Sequence, residues 1–270
     1  MTTTAIAVAT RGTRAMRVPG RILLPIGFIL IVLVLQELLT RGGILPAGYF
    51  PPVSATLAAL AAELTGSTLY GALFSTLTTW LMALVTALVL GTVCGVILGL
   101  VVPLEALLRP AIEFLRPVPS VALIPLVVLT LGTGSEGALF LAVFAAFWQV
   151  LIPAIAGVRA VHPTALDTAR SYSFTAWQRV RWIRLPAMLP HLATATRLAT
   201  STSLILVVTA EIIIQMPGIG SEITMSRTTG NPPRMYAYIM LSGVAGIVLN
   251  TVVRRVEKRL FATHGLQEER

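Results

Sequence analysis

The sequence predicts an all-α polytopic membrane protein with six transmembrane helices, and three observations carry that prediction. Hydrophobic residues make up 56% of the 270 positions and charged residues only 11%, whereas a soluble domain carries about a quarter charged. Mean hydropathy is +0.85. The apolar residues are also gathered into six long runs nearly free of charge. A charge at bilayer depth costs at least about 2.5 kcal/mol, and a helix needs about 20 apolar residues to cross. Backbone groups in hydrocarbon have to be satisfied within their own segment, so the runs are read as helices.

The first run, Ile22 to Leu39, holds only Glu37, near its end. Pro46, Pro51 and Pro52 then precede a stretch from Val53 to Leu64 rich in Ala and Leu. That pattern fits an outside turn leading into a short amphipathic or interfacial helix, and equally a plain connector. The uncharged stretch from Leu64 to Leu104 holds the second span, in which Gly91, Gly95 and Gly99 recur every four residues. One face of that helix is thereby open to close approach by another. The third span, Pro117 to Ser135, opens with Arg116-Pro117-Val118-Pro119 and contains Pro125. Its first turns lack normal hydrogen bonds, so a bent or broken helix is expected, the kind that lines pathways in transporters. The fourth span is Gly137 to Val158. The fifth, Leu198 to about Ile214, is interrupted only by Glu211, and the sixth, Met235 to Val253, carries no charge.

These spans divide the chain into a tail of residues 1–21, a membrane domain of residues 22–255 and a second tail of residues 256–270. The longest polar link, residues 159–197, lies between the fourth and fifth spans. With the N-terminus inside, only Arg41, Arg227 and Arg234 of the 20 Lys and Arg fall outside, as the positive-inside bias requires. Both termini are therefore expected in the cytoplasm. The first 21 residues are Thr-, Ala- and Arg-rich, and the run after them is long enough to remain as an anchor rather than a cleaved signal. Topology and anionic membrane lipid account for the net charge of +9, and no nucleic-acid partner is expected. The single Cys94 lies in an apolar run and forms no internal disulfide.

Within the long link, Asp167-Thr168-Ala169-Arg170-Ser171-Tyr172-Ser173 is followed ten positions later by Ile183-Arg184-Leu185-Pro186. Two helical pieces with a turn near Ser173 suit it, with Pro186 and Pro190 marking the return to the membrane. Tyr172, Phe174, Trp177 and Trp182 are four aromatics in an otherwise polar loop. A contiguous exposed apolar surface of this kind marks an interface, although a headgroup-level position also suits Trp182, the one nearest the fifth span.

At these residues the chain resembles the membrane subunits of binding-protein-dependent ABC importers. Their cytoplasmic loop reads Glu-Ala-Ala, three residues, Gly, nine residues, Ile, one residue, Leu-Pro. Ala169, Ile183, Leu185 and Pro186 match, Asp167 is a conservative match, Thr168 stands for the first small residue and Ser173 for the Gly. The resemblance runs from about Pro51 to the C-terminus. Phe114-Leu115-Arg116-Pro117-Val118-Pro119, Ala156-Gly157-Val158-Arg159 and Ala210-Glu211-Ile212 are similar to the branch that imports sulfonates, taurine, nitrate and related small solutes.

The resemblance implies a coupling helix seated in a groove of a separate ATPase subunit. Ala169 and Ser173 would permit close approach, Tyr172 and Trp177 would supply buried area and Arg170 would supply charge pairing. It further implies a permease homodimer, an extracytoplasmic solute-binding protein and ATP with Mg bound by the partner. The sequence itself holds no Gly-x-x-x-x-Gly-Lys-Ser/Thr loop and no cofactor or metal site of its own. A solute pathway is expected between paired subunits from the third and fifth spans, with Glu211 as its ionisable candidate and Ser201, Thr202, Ser203 and Thr209 as hydrogen-bonding ones. A structural role for Glu211 is the alternative. Arg227 and Arg234 outside would suit an anionic solute or protein.

Two other classes fit less well. An ion-driven carrier needs inverted repeats and midplane ionisable residues. An intramembrane enzyme needs a nucleophile and base within reach, yet His162, His191 and His264 all fall in polar segments.

Overall fold

The structure, a computed structural model, describes residues 20–263. The N-terminal tail, His264 and the last basic residue, Arg270, lie outside the described residues. The chain divides at Ser54 into two units.

The first unit holds α1, Gly20–Arg41, a 22-residue helix over the expected first span. Glu37 is not left bare at its end. It accepts hydrogen bonds from Arg41 Nε at 2.6 Å, Ser54 Oγ at 2.7 Å and Ser54 N at 3.1 Å.

The boundary falls in the first turn of α2, Val53–Thr65, a short helix after the prolines, and the second unit starts at Ala55. It continues through α3, Ser67–Leu100; α4, Val102–Leu115; a 3-10 turn, Ser120–Leu123; α5, Ile124–Leu131; and α6, Ser135–Arg159. Then come α7, Pro163–Ser171; α8, Ala176–Arg179; a π turn, Val180–Arg184; α9, Leu185–Ile214; α10, Ile219–Thr228; and α11, Pro232–Thr263. No strand occurs among the described residues.

Four of the described helices are long and apolar enough to cross a membrane, with a fifth crossing if α4 and α5 are taken as one broken span. The break expected at the third span is present, while the count of six is not reached among the described helices. In place of one helix from Pro117 to Ser135 there are α4 and α5, bent by 82° at the break between them. Pro117, Pro119 and Pro125 remove three backbone donors within nine residues, which is why the break falls there. The helix that holds the fifth run starts before that run does. α9 begins at Leu185, inside the expected link, and its first turns are held by packing of Leu185, Met188 and Leu192 with Ala154 and Val158.

The core is the α3, α6, α9 sandwich. The glycine ladder of α3 meets α6: a Cβ at Gly91 would lie 2.6 Å from Val150 Cβ and one at Gly99 2.8 Å from Val158 Cβ, while one at Gly95 would collide with Ala154 Cβ. The partner positions also recur every four residues, so small residues on one helix receive side chains of the other along a shared stripe. Trp80, buried on α3, donates from Nε1 to Thr200 O of α9 at 3.1 Å. An indole buried in apolar surroundings needs such a partner.

Candidate functional site

The link between α6 and α9 is built by local capping. His162 caps α7 by accepting from Thr164 N at 3.3 Å, with Pro163 at the first helical position. At the other end Phe174 N donates to Ala169 O and Ser173 N to Arg170 O, both at 2.9 Å. This is the paired closure that places the residue after the helix in left-handed backbone. That residue is Ser173, at φ 57°. The tight turn survives the Gly-to-Ser departure, with Ser holding the conformation a Gly adopts freely.

Thr175 and Gln178 then form a reciprocal capping box for α8: Gln178 N donates to Thr175 Oγ1 at 3.2 Å and Thr175 N to Gln178 Oε1 at 2.8 Å. The Thr-x-x-Gln spacing is a readable start signal that sequence reasoning passed over.

The named residues of this link separate into two groups. Tyr172, Trp177 and Trp182 are 76%, 69% and 65% exposed. Ala169, by contrast, is buried within its own chain. Its small side chain is covered by neighbouring atoms of this chain. Arg170 is paired with Asp167 at 2.9 Å. Ile183, Leu185 and Pro186 are half-buried where the link enters α9, and there they join the link to the core.

At the opposite end of α9 the expected polar residues disperse. Glu211 is fully buried. It accepts from Thr76 Oγ1 of α3 at 2.8 Å and from Gly220 N of α10 at 2.8 Å, and Thr76 Oγ1 in turn accepts from Ile219 N at 2.9 Å. A carboxylate under the first amides of a helix is a favourable arrangement. A Cβ at Gly218 would overlap the Glu211 carboxyl, and one at Gly220 would lie 2.6 Å from Glu211 Cβ. Both glycines are therefore needed for the carboxylate to sit there, and both Glu211 oxygens are engaged by the protein. Ser203 is buried and bonds back to Ala199 O and Thr200 O of its own helix. Ser201 is exposed and Thr209 half-exposed, and these two line a groove against α11.

Sequence reasoning missed α10 and the ion network beside it. Arg234 Nε donates to Glu63 Oε1 at 2.6 Å and its NH2 to Glu222 Oε2 at 2.9 Å, while Tyr238 OH donates to Glu63 Oε2 at 2.6 Å. The Arg234 hydrogen bond holds the Glu63 carboxyl below its ordinary range. Arg234, expected to be open to an anion, is neutralised by two carboxylates. The available signal was the presence of isolated opposite charges in otherwise apolar connections, which have to pair when partly buried.

The family model described as Binding-protein-dependent transport system inner membrane component matches residues 87–262. The taurine transport system permease protein TauC of Escherichia coli is 28% identical over 162 residues, covering 60% of this chain and 59% of that protein. The nitrate import permease protein NrtB of Leptolyngbya laminosa is 26% identical over 153 residues, covering 57% of this chain and 55% of that protein. The chain thus spans less than two thirds of the length of these curated relatives. Among solved structures, one titled as inward-facing conformations of the MetNI methionine ABC transporter is similar in fold. Its TM-score is 0.63 at 18% identity, covering 71% of this chain and 95% of that one.

Proposed function

We propose, on the premise that this chain belongs to the family of binding-protein-dependent transport system inner membrane components, that it is the permease subunit of an ATP-driven importer. In this reading α1, α3, the broken pair α4 and α5, α6, α9 and α11 are six crossings of the inner membrane, with both termini cytoplasmic. Two copies form the solute pathway and receive a small solute of the sulfonate, taurine or nitrate type from an extracytoplasmic binding protein. Two separate ATPase subunits bind ATP and Mg and perform the hydrolysis, so the chain itself is a transport subunit and not an enzyme.

The observation that carries this reading is the exposed aromatic link. Tyr172 and Trp177 remain 76% and 69% exposed on a segment fixed by two helix caps. Rigid, bare aromatics of this kind anchor protein interfaces, where one residue can contribute 2 kcal/mol or more, roughly. The docking residues this supports are Tyr172 and Trp177, with Ser173 setting the turn and Asp167, Ala169 and Arg170 shaping α7. Ile183, Leu185 and Pro186 carry the link into α9.

α9 supplies the transmission. Its 30 residues run without interruption from Leu185 to Ile214, about 45 Å at 1.5 Å per residue. Displacement of the link is therefore delivered along a packed rod to the Glu211 end. Glu211 and Ser203 are structural in this reading, and Ser201 and Thr209 face the pathway.

The test is ATP-dependent uptake of taurine or nitrate into proteoliposomes holding the permease with its cognate ATPase and binding protein. Uptake requiring all three components is the expected result. Equal uptake by the permease alone, without nucleotide, overturns the reading and favours a secondary carrier.

A further inference from the structure

Resting on the transport reading, we propose that Arg159 is a positioning residue, the latch through which movement of the docking link reaches α4 and the broken pair that α4 begins. The Ala156-Gly157-Val158-Arg159 segment ends α6, and α7 starts only a few residues later at Pro163. So short a connection has little slack. A displaced α7 therefore pulls on Arg159.

Arg159 ties three helices together. Its Nε donates to Gly99 O at 3.3 Å and its NH2 to Leu98 O at 3.1 Å. These are carbonyls of the last turn of α3, where a helix runs out of its own donors and a cation is favourable. The NH1 of Arg159 lies 3.6 Å from Glu105 Oε2, in the first turn of α4, where a carboxylate is favourable. α3 and α4 are separated by Val101 alone, so the guanidinium sits across the corner they make. Its planar fork of donors lets one side chain hold two carbonyls and a carboxylate together.

α4 is otherwise weakly held. No residue of α4 is buried. Arg109 pairs only along its own helix, with Glu105 at 3.8 Å and Glu113 at 3.3 Å. The Glu105 to Arg159 contact is thus the one ion pair from α4 to another helix among the described residues. Beyond it a cavity of about 650 Å³ separates Ile112 and Glu113 of α4 from Ile152 and Ile155 of α6. A helix with no buried face and space beside it belongs to the least stable part of a fold, and it swings about its attached end. Its far end leads through the proline break to α5, whose Ile124 and Val127 are buried. The link therefore has an outlet for movement at its α6 end as well as at α9.

The experiment uses the full chain assembled with its ATPase in membranes, with Cys94→Ser to remove the native thiol and Ile152→Cys as a sensor in the cavity. The rate of modification by N-ethylmaleimide is measured without nucleotide and after trapping with ATP and vanadate. The two states are expected to differ on the order of tenfold, and the difference to fall to near unity when Arg159→Gln or Glu105→Gln is added. Arg159→Lys keeps the charge and is expected to recover part of it. ATPase yield and hydrolysis are expected to stay native in all three variants, a separation that a merely structural role would not give. A native-sized difference in Arg159→Gln and Glu105→Gln overturns the inference, as does a sensor whose rate is the same in both states before either change is added. Loss of the bound ATPase in these variants also overturns it, because Arg159 would then act on docking. If Arg159→Gln does not assemble, Glu105→Gln decides alone, since it leaves the bonds to Leu98 O and Gly99 O in place. Failure of the unmodified chain to hold the ATPase sinks the transport reading instead.

Discussion

Glu211 of α9 and Thr76 of α3 are joined by a 2.8 Å hydrogen bond beneath the first turn of α10. The pair holds three helices at one buried point, because Thr76 Oγ1 also accepts from Ile219 N and Glu211 Oε2 from Gly220 N. A side chain so fully engaged fastens the end of the bundle.

Glu211→Leu is expected to destabilise the purified protein by about 1–3 kcal/mol, because it leaves Gly220 N and Thr76 buried without an acceptor. Glu211→Gln keeps acceptor capacity and is expected to cost less. Thermal unfolding in detergent measures both. The opposite pattern, an altered apparent KM for solute in Glu211→Gln with unchanged stability, would assign the residue to solute contact instead.

Ser173 sits at φ 57°, where any residue with a Cβ costs about 1–2 kcal/mol relative to Gly. Ser173→Gly is expected to slow hydrogen exchange in α7 and α8, and Ser173→Val to accelerate it. Unchanged exchange in both variants would show that the turn is not what orders the link.

Gly95 lies against Ala154 and within 3.1 Å of Leu151 O when a Cβ is added. Gly95→Val is accordingly expected to cost about 1–3 kcal/mol through overpacking of α3 on α6. The same change at Gly71, which has open space around it, provides the control in one melting series.

The clamp of Glu63 with Arg234 and Tyr238 gives a pH dependence of definite sign. A carboxyl held below its ordinary value contributes stability that is present above the usual pKa of about 4.3 and lost as pH falls through the lower folded value. The difference in unfolding midpoint between the native chain and Glu63→Gln is expected to be full at neutral pH and to shrink in acid. A difference that grows in acid contradicts the assignment.

Much of this architecture was legible because hydrocarbon punishes charge. The uncharged runs placed α3, α6 and α11, and the four-residue glycine spacing announced a close helix contact whose partner, Val150, Ala154 and Val158, only the structure names. The prolines announced the break near Pro117 without its 82° bend, since proline fixes where a ladder fails and packing fixes the direction. Ala169 shows a similar limit: a small residue in a motif reads as a docking position, while its burial depends on which side of α7 meets the body. Ser203 and Glu211 looked like pathway groups because an intramembrane polar residue is a functional candidate by default. Both find partners inside the protein, and pairing across 135 residues, as between Thr76 and Glu211, leaves no local trace in sequence.

The most direct measurement of the central claim is retention of the ATPase by the chain carrying Tyr172→Ala and Trp177→Ala. Both residues are exposed, so membrane insertion and the melting midpoint are expected to stay at native values. Co-purification of the ATPase is expected to fall by on the order of a hundredfold, the combined effect of removing two aromatic anchors. Native recovery of the ATPase with the double variant would contradict the assignment of this link as the coupling surface.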